Sequence, residues 1–235
     1  MKITKLDEAG YETAMKGVAL SFYDHAIPFG EFWTPERRER TIHRSKELAF
    51  KGGGHNKFLA SMFTWWLIQA PRGWWQEYDT YKVATTANSS STMHTLDKRM
   101  TDASDYEKGT SHDSIHAFNV CLGQYKDPAS VYYKDITRLK QNLPEGWLQE
   151  RGVCINYMTM QNMLAQREGH RFKCWSTFSE TIVANVEHPY LLVNNTVNNP
   201  DKALLQGVLE QMGDSDLSAT EFTRLTQVFK KLGVK

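Results

Sequence analysis

Apolar positions recur at helical spacing over residues 11–25, where Ala14, Met15, Val18, Ala19 and Phe22 fall on one face, so the pattern predicts a helix there. Thr34-Pro35-Glu36 has the chemistry of a helix start. A hydroxyl can accept a free backbone N–H, a proline stands where its missing N–H costs nothing, and an acid faces the positive end of the dipole. The helix that follows carries Arg37, Arg38, Arg40, Arg44 and Lys46 and is stopped by Gly52-Gly53-Gly54. Its basic face is read as solvated, with phosphate as the alternative partner. Residues 62–68 (Met-Phe-Thr-Trp-Trp-Leu-Ile) have the aromatic and β-branched content of a strand, which Pro71 ends. A short helix is expected over 74–82. Residues 84–92, small and polar without periodicity, read as a loop whose hydroxyls and Asn88 can bond nearby backbone or a ligand.

Further on, Asp127-Pro128 is expected to open a helix running through Leu139, and Leu143-Pro144-Glu145-Gly146 to break it. Helices are expected over 152–167 and 175–186, and a surface loop over 194–200. Ser218-Ala219-Thr220-Glu221 fits a capping box ahead of a last amphipathic helix carrying Phe222, Leu225, Val228, Phe229 and Leu232. The sum is an α/β chain in which helix predominates: one domain over 1–235, with a small sheet flanked by several helices.

Composition narrows this only a little. With 235 residues and 40% hydrophobic content, the chain can bury a core without disulfides. A net charge of +1 gives no global pull toward nucleic acid or an anionic membrane, so any anion site must be local. Cys121, Cys154 and Cys174 are an odd number without paired spacing and read as reduced thiols of a cytoplasmic protein. The first eight residues lack the apolar core of a signal peptide. The uncharged run from Phe58 to Pro71 is short of the ~20 residues that span a bilayer. No membrane and no nucleic-acid partner is expected.

Several candidate chemistries fall away. His112 and His116 stand at i,i+4 spacing, but Asp113 replaces the glutamate of the zinc-protease motif and no third ligand is evident, so no metal site is expected. No cysteine sits in a nucleophile motif, and Gly52-Gly53-Gly54 lacks the spacing of a phosphate-binding loop. The tryptophan pairs 65–66 and 74–75 could stack on a planar ligand, but core is the preferred reading.

Two stretches carry more. The first runs from Ala70-Pro71 through Gln76-Glu77-Tyr78-Asp79-Thr80-Tyr81-Lys82 to Ala84-Thr85-Thr86-Ala87-Asn88-Ser89-Ser90-Ser91-Thr92. The second follows Leu143-Pro144 and contains Asn156, Met158, Asn162, Arg167 and His170. In order and spacing they resemble the flavin-dependent thymidylate synthases, whose signature is R-H-R-x-x-S-x-N-x-x-S-x-R, followed by a helix bearing N-x-R-x-x-x-N-x-x-x-x-R and a histidine. The resemblance begins at His55 and spans roughly residues 55–180. In the signature only Ser90 is identical, with Lys82 and Thr85 close in chemistry, whereas Thr80, Tyr81, Ala87 and Thr92 depart from it. In the helix, Met158 replaces the first arginine.

The resemblance implies FAD as cofactor, with NADPH and methylenetetrahydrofolate as co-substrates. It also implies dUMP or another pyrimidine deoxynucleotide as substrate, and a homotetramer with sites at subunit interfaces. It implies Asn156, Asn162, His170 and Lys82 as flavin contacts, and Ser90, Arg167, Asn88 and Glu77 as nucleotide contacts. The activity it implies is one-carbon transfer to C5 of a deoxyuridine nucleotide, methylation or a variant such as hydroxymethylation. Loss of the signature arginines leaves an alternative: a flavin- or nucleotide-binding oligomer that keeps the fold without the chemistry.

Overall fold

The computed structural model describes residues 1–194, and residues 1–193 form one compact unit. The expected loop over 194–200 runs beyond these residues, and the capping box and last helix lie wholly outside them. Strand β1 (Lys2–Ala9) leads into α1 (Tyr11–Ala19), then α2 (Phe29–Phe32) and α3 (Pro35–Leu48). Strand β2 (Phe63–Pro71) runs directly into α4 (Arg72–Tyr78), followed by β3 (Thr85–Ser89) and α5 (Thr92–Thr95). Helices α6 (His112–Lys126) and α7 (Ile136–Gln141) precede β4 (Leu148–Asn156), α8 (Tyr157–Gln166) and α9 (Cys174–Asn185). The strands form one antiparallel sheet in the order β1-β2-β4-β3.

Alternation along β2 sets the core. Thr64, Trp66, Ile68 and Ala70 are buried on one face, whereas Phe63, Trp65, Leu67 and Gln69 on the other are half-exposed. Onto the buried face pack Trp74, Trp75 and Tyr78 of α4, Met160 and Met163 of α8, and Trp175, Phe178 and Ile182 of α9. Trp66, Trp74 and Trp75 are thus core, as their size favours. A second, smaller cluster of Leu96, Phe118, Leu122, Leu139 and Leu143 holds α6 and α7 together.

Local chemistry explains where the elements begin. Thr34 caps α3 by accepting the Arg37 N–H at 3.3 Å, with Pro35 in the first turn as expected. Residues 152–156 are strand rather than helix, because Val153 and Ile155 alternate into the core and Asn156 itself caps α8 by accepting the Thr159 N–H at 2.8 Å. Residues 85–89 are an edge strand rather than loop. They pair with β4 on one side and face solvent on the other, so they need no apolar alternation. The helix expected from Asp127 is shorter and later. Asp127 ends α6 and turns the chain by accepting the Ala129 N–H, and Asp135 is the cap that starts α7. α1 ends at Ala19, well short of residue 25, and continues only as a 3₁₀ turn to Phe22.

Candidate nucleotide and flavin site

Three side chains meet around the carboxylate of Glu77. Helix α4 follows β2 without a linker and presents Glu77 beside the C-terminal end of α8, where Arg167 is the capping residue. Beyond Arg167, Gly169 takes a left-handed conformation (φ 66°) that turns the chain and returns His170 toward Arg167. The first turn of α9 adds Trp175, fully buried. Glu77 Oε2 accepts from Arg167 Nη1 at 2.9 Å and from Trp175 Nε1 at 2.7 Å, and His170 Nε2 stands 3.5 Å away. Arg167 Nε donates to Tyr81 Oη at 2.9 Å, and the guanidinium carbon lies 4.6 Å from the centre of the Trp175 ring.

The ring of His170 is oriented by the backbone. The Phe172 N–H donates to Nδ1 at 3.2 Å, so in the neutral imidazole the proton is on Nε2. That Nε2–H faces Glu77. Arg167 Nη1 lies 3.1 Å from the same nitrogen, which accepts from it in the other tautomer.

Of the residues singled out from sequence, Glu77, Arg167 and His170 are therefore brought together. Asn156 lies apart, buried, with both ends of its amide engaged: Oδ1 on the α8 cap and Nδ2 donating to the Ala60 carbonyl at 3.1 Å. Asn162 is exposed on α8. Lys82, Asn88 and Ser90 are exposed along the turn and edge strand after α4, with the Ser90 N–H donating to the Glu150 carbonyl. The hydroxyls where the signature would have Arg and Ser are turned inward to backbone: Thr80 donates to the Glu77 carbonyl and Thr85 to that of Tyr81. Tyr81 and Trp175 were not singled out. Tyr81 occupies a signature position with a changed residue, and Trp175 has no sequence signal beyond being aromatic.

A separate cavity of about 540 Å³ opens between α1, α3 and the glycine turn. Arg44, His55 and Lys57 are on its wall, Phe22, Leu48 and Phe58 give it apolar surface, and no carboxylate of the described residues lines it. A neighbouring cavity shares Phe22 and Arg44 with it, and there Arg37 and Arg40 are offset by Glu31 and Glu36. The basic face of α3 is thus partly cavity wall, whereas its Arg38 is paired with Glu12. His112 and His116 are exposed on α6. Among the described residues a metal-ligand grouping occurs at Glu8, Glu187 and His188, where the Lys5 ammonium already lies 3.1 Å from Glu8 and 3.5 Å from Glu187. No helix of the described residues is long and apolar enough to cross a membrane.

No protein-family model matches the chain, and no curated protein matches it by sequence. Solved structures do share its fold. A flavin-dependent thymidylate synthase ThyX from Helicobacter pylori, complexed with FAD and dUMP, superposes with a TM-score of 0.63 at 14% identity, covering 82% of this chain and 98% of that one. A second structure of Thymidylate Synthase X from Helicobacter pylori, with FAD and dUMP, gives a TM-score of 0.61 at 16% identity, covering 82% and 97%. The α/β architecture, a small antiparallel sheet flanked by helices, is that of the flavin-dependent thymidylate synthases, and at these identities the likeness is one of fold.

Proposed function

We propose that the protein is a flavin-dependent enzyme that transfers a one-carbon unit to C5 of a deoxyuridine nucleotide, with dUMP to dTMP as the reference reaction. Hydroxymethylation, or another pyrimidine, belongs to the same reading. The observation that carries it is a coincidence of position. Glu77, Arg167 and His170, singled out by resemblance, meet in one cluster of a fold that in the Helicobacter pylori protein holds FAD and dUMP.

The residues present suit a flavin nucleotide. A cavity with Arg44, His55 and Lys57 on its wall, apolar side chains beside them and no acid among its described lining residues suits a ligand that combines phosphates with a flat ring system. Reduced FAD would supply the electrons that convert a transferred methylene, drawn from methylenetetrahydrofolate, into a methyl group, with NADPH as the reductant. The chain's own part is orientation and charge. Arg44 and Lys57 would neutralise phosphate, and Arg167 would meet the nucleotide. Asn162, His170 and Lys82 remain the flavin contacts of this reading, and Ser90 and Asn88 those of the nucleotide. Asn156 would contribute by fixing the start of α8. Because neither cavity includes Glu77, Arg167 or His170, the complete site would combine the cavity of one subunit with the cluster of another, in a homotetramer.

The decisive experiment is the visible spectrum of the purified protein after addition of FAD, followed by release of tritium from [5-³H]dUMP with NADPH and methylenetetrahydrofolate. Bound flavin with tritium release supports the proposal. Bound flavin without release for any pyrimidine deoxynucleotide supports the non-catalytic alternative. A protein that holds no flavin and stays monomeric by light scattering overturns both.

A further inference from the structure

The cavity bounded by α1, α2 and α3 holds positive charge that no hydrogen bond of the described residues takes up. Arg37, Arg40 and Arg44 recur at i, i+3 and i+7 along α3, so one face of the helix brings all three to the wall of a space of about 540 Å³. The Arg37 guanidinium lies over the Phe32 ring, 4.0 Å from its centre, and that of Arg44 over Phe22 at 4.6 Å. Such stacking orients a guanidinium and leaves its N–H edge open. Among the described residues none of the three guanidiniums donates a hydrogen bond or forms an ion pair, whereas Arg38 of the same helix is paired with Glu12. At the same cavity Phe22 is 56% and Ile27 40% exposed, so apolar surface stands bare beside the cations. Open guanidinium edges next to open apolar surface suit an amphipathic anion.

We propose that this cavity binds an N-aroyl amino acid carrying two carboxylates, the chemistry of an aroylglutamate. A folate carries that group at one end, and the free aroyl amino acid is its other source. Charge and spacing select the class. Glu31 and Glu36 also line the cavity, so three cations face two acids. A polyphosphate would crowd its charges against those acids, and a fatty acid would fill one guanidinium and leave Glu31 without a donor. Successive arginines are about 4.5 and 6 Å apart along the helix axis, comparable with the two carboxylates of a glutamate rather than the oxygens of one phosphate. The carboxylates of the ligand thus bridge neighbouring guanidinium edges, its ring covers Phe22 and Ile27, and its amide N–H turns to Glu31. The inference goes beyond the proposed function. Arg37 and Arg40 belong to this cavity alone, and only Val18, Phe22 and Arg44 are shared with the cavity assigned to flavin.

The probe is p-aminobenzoyl-glutamate, titrated calorimetrically into the purified protein. Wild type is expected to bind it saturably and Arg40→Ala about tenfold more weakly. Arg40→Lys should fall between the two, because an ammonium keeps the charge but not the fork. The dimethyl ester, with the same ring and no charge, is expected to bind about tenfold more weakly than the diacid. Ile27→Glu keeps all three arginines and sets a carboxylate beside the ring, and the same loss is expected of it. Arg40 and Ile27 are both exposed, so both variants should melt with wild type in the absence of the probe. No saturable binding by wild type, equal affinity of wild type and Arg40→Ala, or equal affinity for diacid and ester overturns the proposal. Folic acid distinguishes the sources. Binding that falls with Arg40→Ala as the probe's does assigns the cavity to a folate, and binding that is indifferent to Arg40 or absent assigns it to the free acid. The titrations need neither added flavin nor dUMP, so their failure leaves the proposed function standing, and failure of the tritium-release test leaves this site.

Discussion

Asn156 ties the start of α8 to the segment before β2. Its Oδ1 takes the Thr159 N–H, and its Nδ2 reaches the carbonyl of Ala60, 3.1 Å away. One side chain thus fixes both where a strand becomes a helix and where that helix stands against the 3₁₀ turn at Lys57–Ser61. Asn156→Ala removes the cap and orphans a carbonyl, and is expected to destabilise the protein by about 2 kcal/mol. Asn162→Ala, on the exposed side of the same helix, should stay within about 0.5 kcal/mol. Urea unfolding measures both, and equal losses would remove the distinction drawn between the two asparagines.

Trp74 and Trp175 form a matched pair for measuring the bond to Glu77. Both are fully buried and their rings lie 5.0 Å apart, but Trp175 Nε1 donates to Glu77 whereas Trp74 Nε1 has no hydrogen-bond partner among the described residues. Replacing either by Phe removes similar volume. Trp175→Phe is expected to cost about 1.5–3 kcal/mol more than Trp74→Phe, because it alone breaks a hydrogen bond to a charged acceptor. Chemical denaturation of the two variants reads the difference directly.

Gly10 is the one residue between β1 and α1, at φ 98°, and a Cβ placed there would lie 2.3 Å from the Ser61 carbonyl oxygen. Backbone strain and backbone overlap act together. Gly10→Ala is therefore expected to cost about 2–4 kcal/mol, seen as a fall in Tm of roughly 5–10 °C. A variant that melts with wild type would mean that β1 and the turn before β2 separate easily.

His188 gives stability a pH dependence of predictable sign. It is half-buried and stacked on Tyr11 with ring centres 3.5 Å apart. Burial holds its pKa below the ordinary 6.5, and this outweighs the opposing pull of Glu8, Glu187 and Glu12; the nearby Lys5 adds to the lowering. The unfolded chain therefore binds this proton more readily than the folded one. The contribution is complete above pH 6.5 and is lost as pH falls through the folded-state value. Tm should be flat between pH 8 and 7 and decline from pH 6.5 toward 5, more steeply in wild type than in His188→Gln. Parallel curves would show that His188 does not govern this window.

How much of this could be read from the chain depended on whether a signal was local. The cap at Thr34, the strand ended by Pro71 and the helix now called α9 were legible, because each is announced by neighbouring residues. β4 was not. Gln149, Glu150, Arg151 and Gly152 hide its first half, and its apolar half merges in sequence with the helix that Asn156 begins. β1 and β3 are edge strands whose exposed positions need no hydrophobic alternation. In the site, Glu77, Arg167 and His170 stood out through resemblance. The contacts that Tyr81 and Trp175 make there join α4, α8 and α9, and no spacing along the chain encodes such a contact.

The position of β4 in the sheet has a consequence for the order in which the molecule can assemble. β4 lies between β2 and β3, and among the described residues it is the last strand to leave the ribosome. Until residue 156 emerges, β3 has no neighbour and β2 can pair only with β1. The polypeptide over 72–147 is therefore already present when the middle of the sheet closes around it. Such late, long-range closure slows folding and leaves the bare edge of β2, with Trp65 and Trp66, open to wrong partners. A nascent chain halted before residue 148 is expected to be held by chaperones, and one halted after α9 to be released from them.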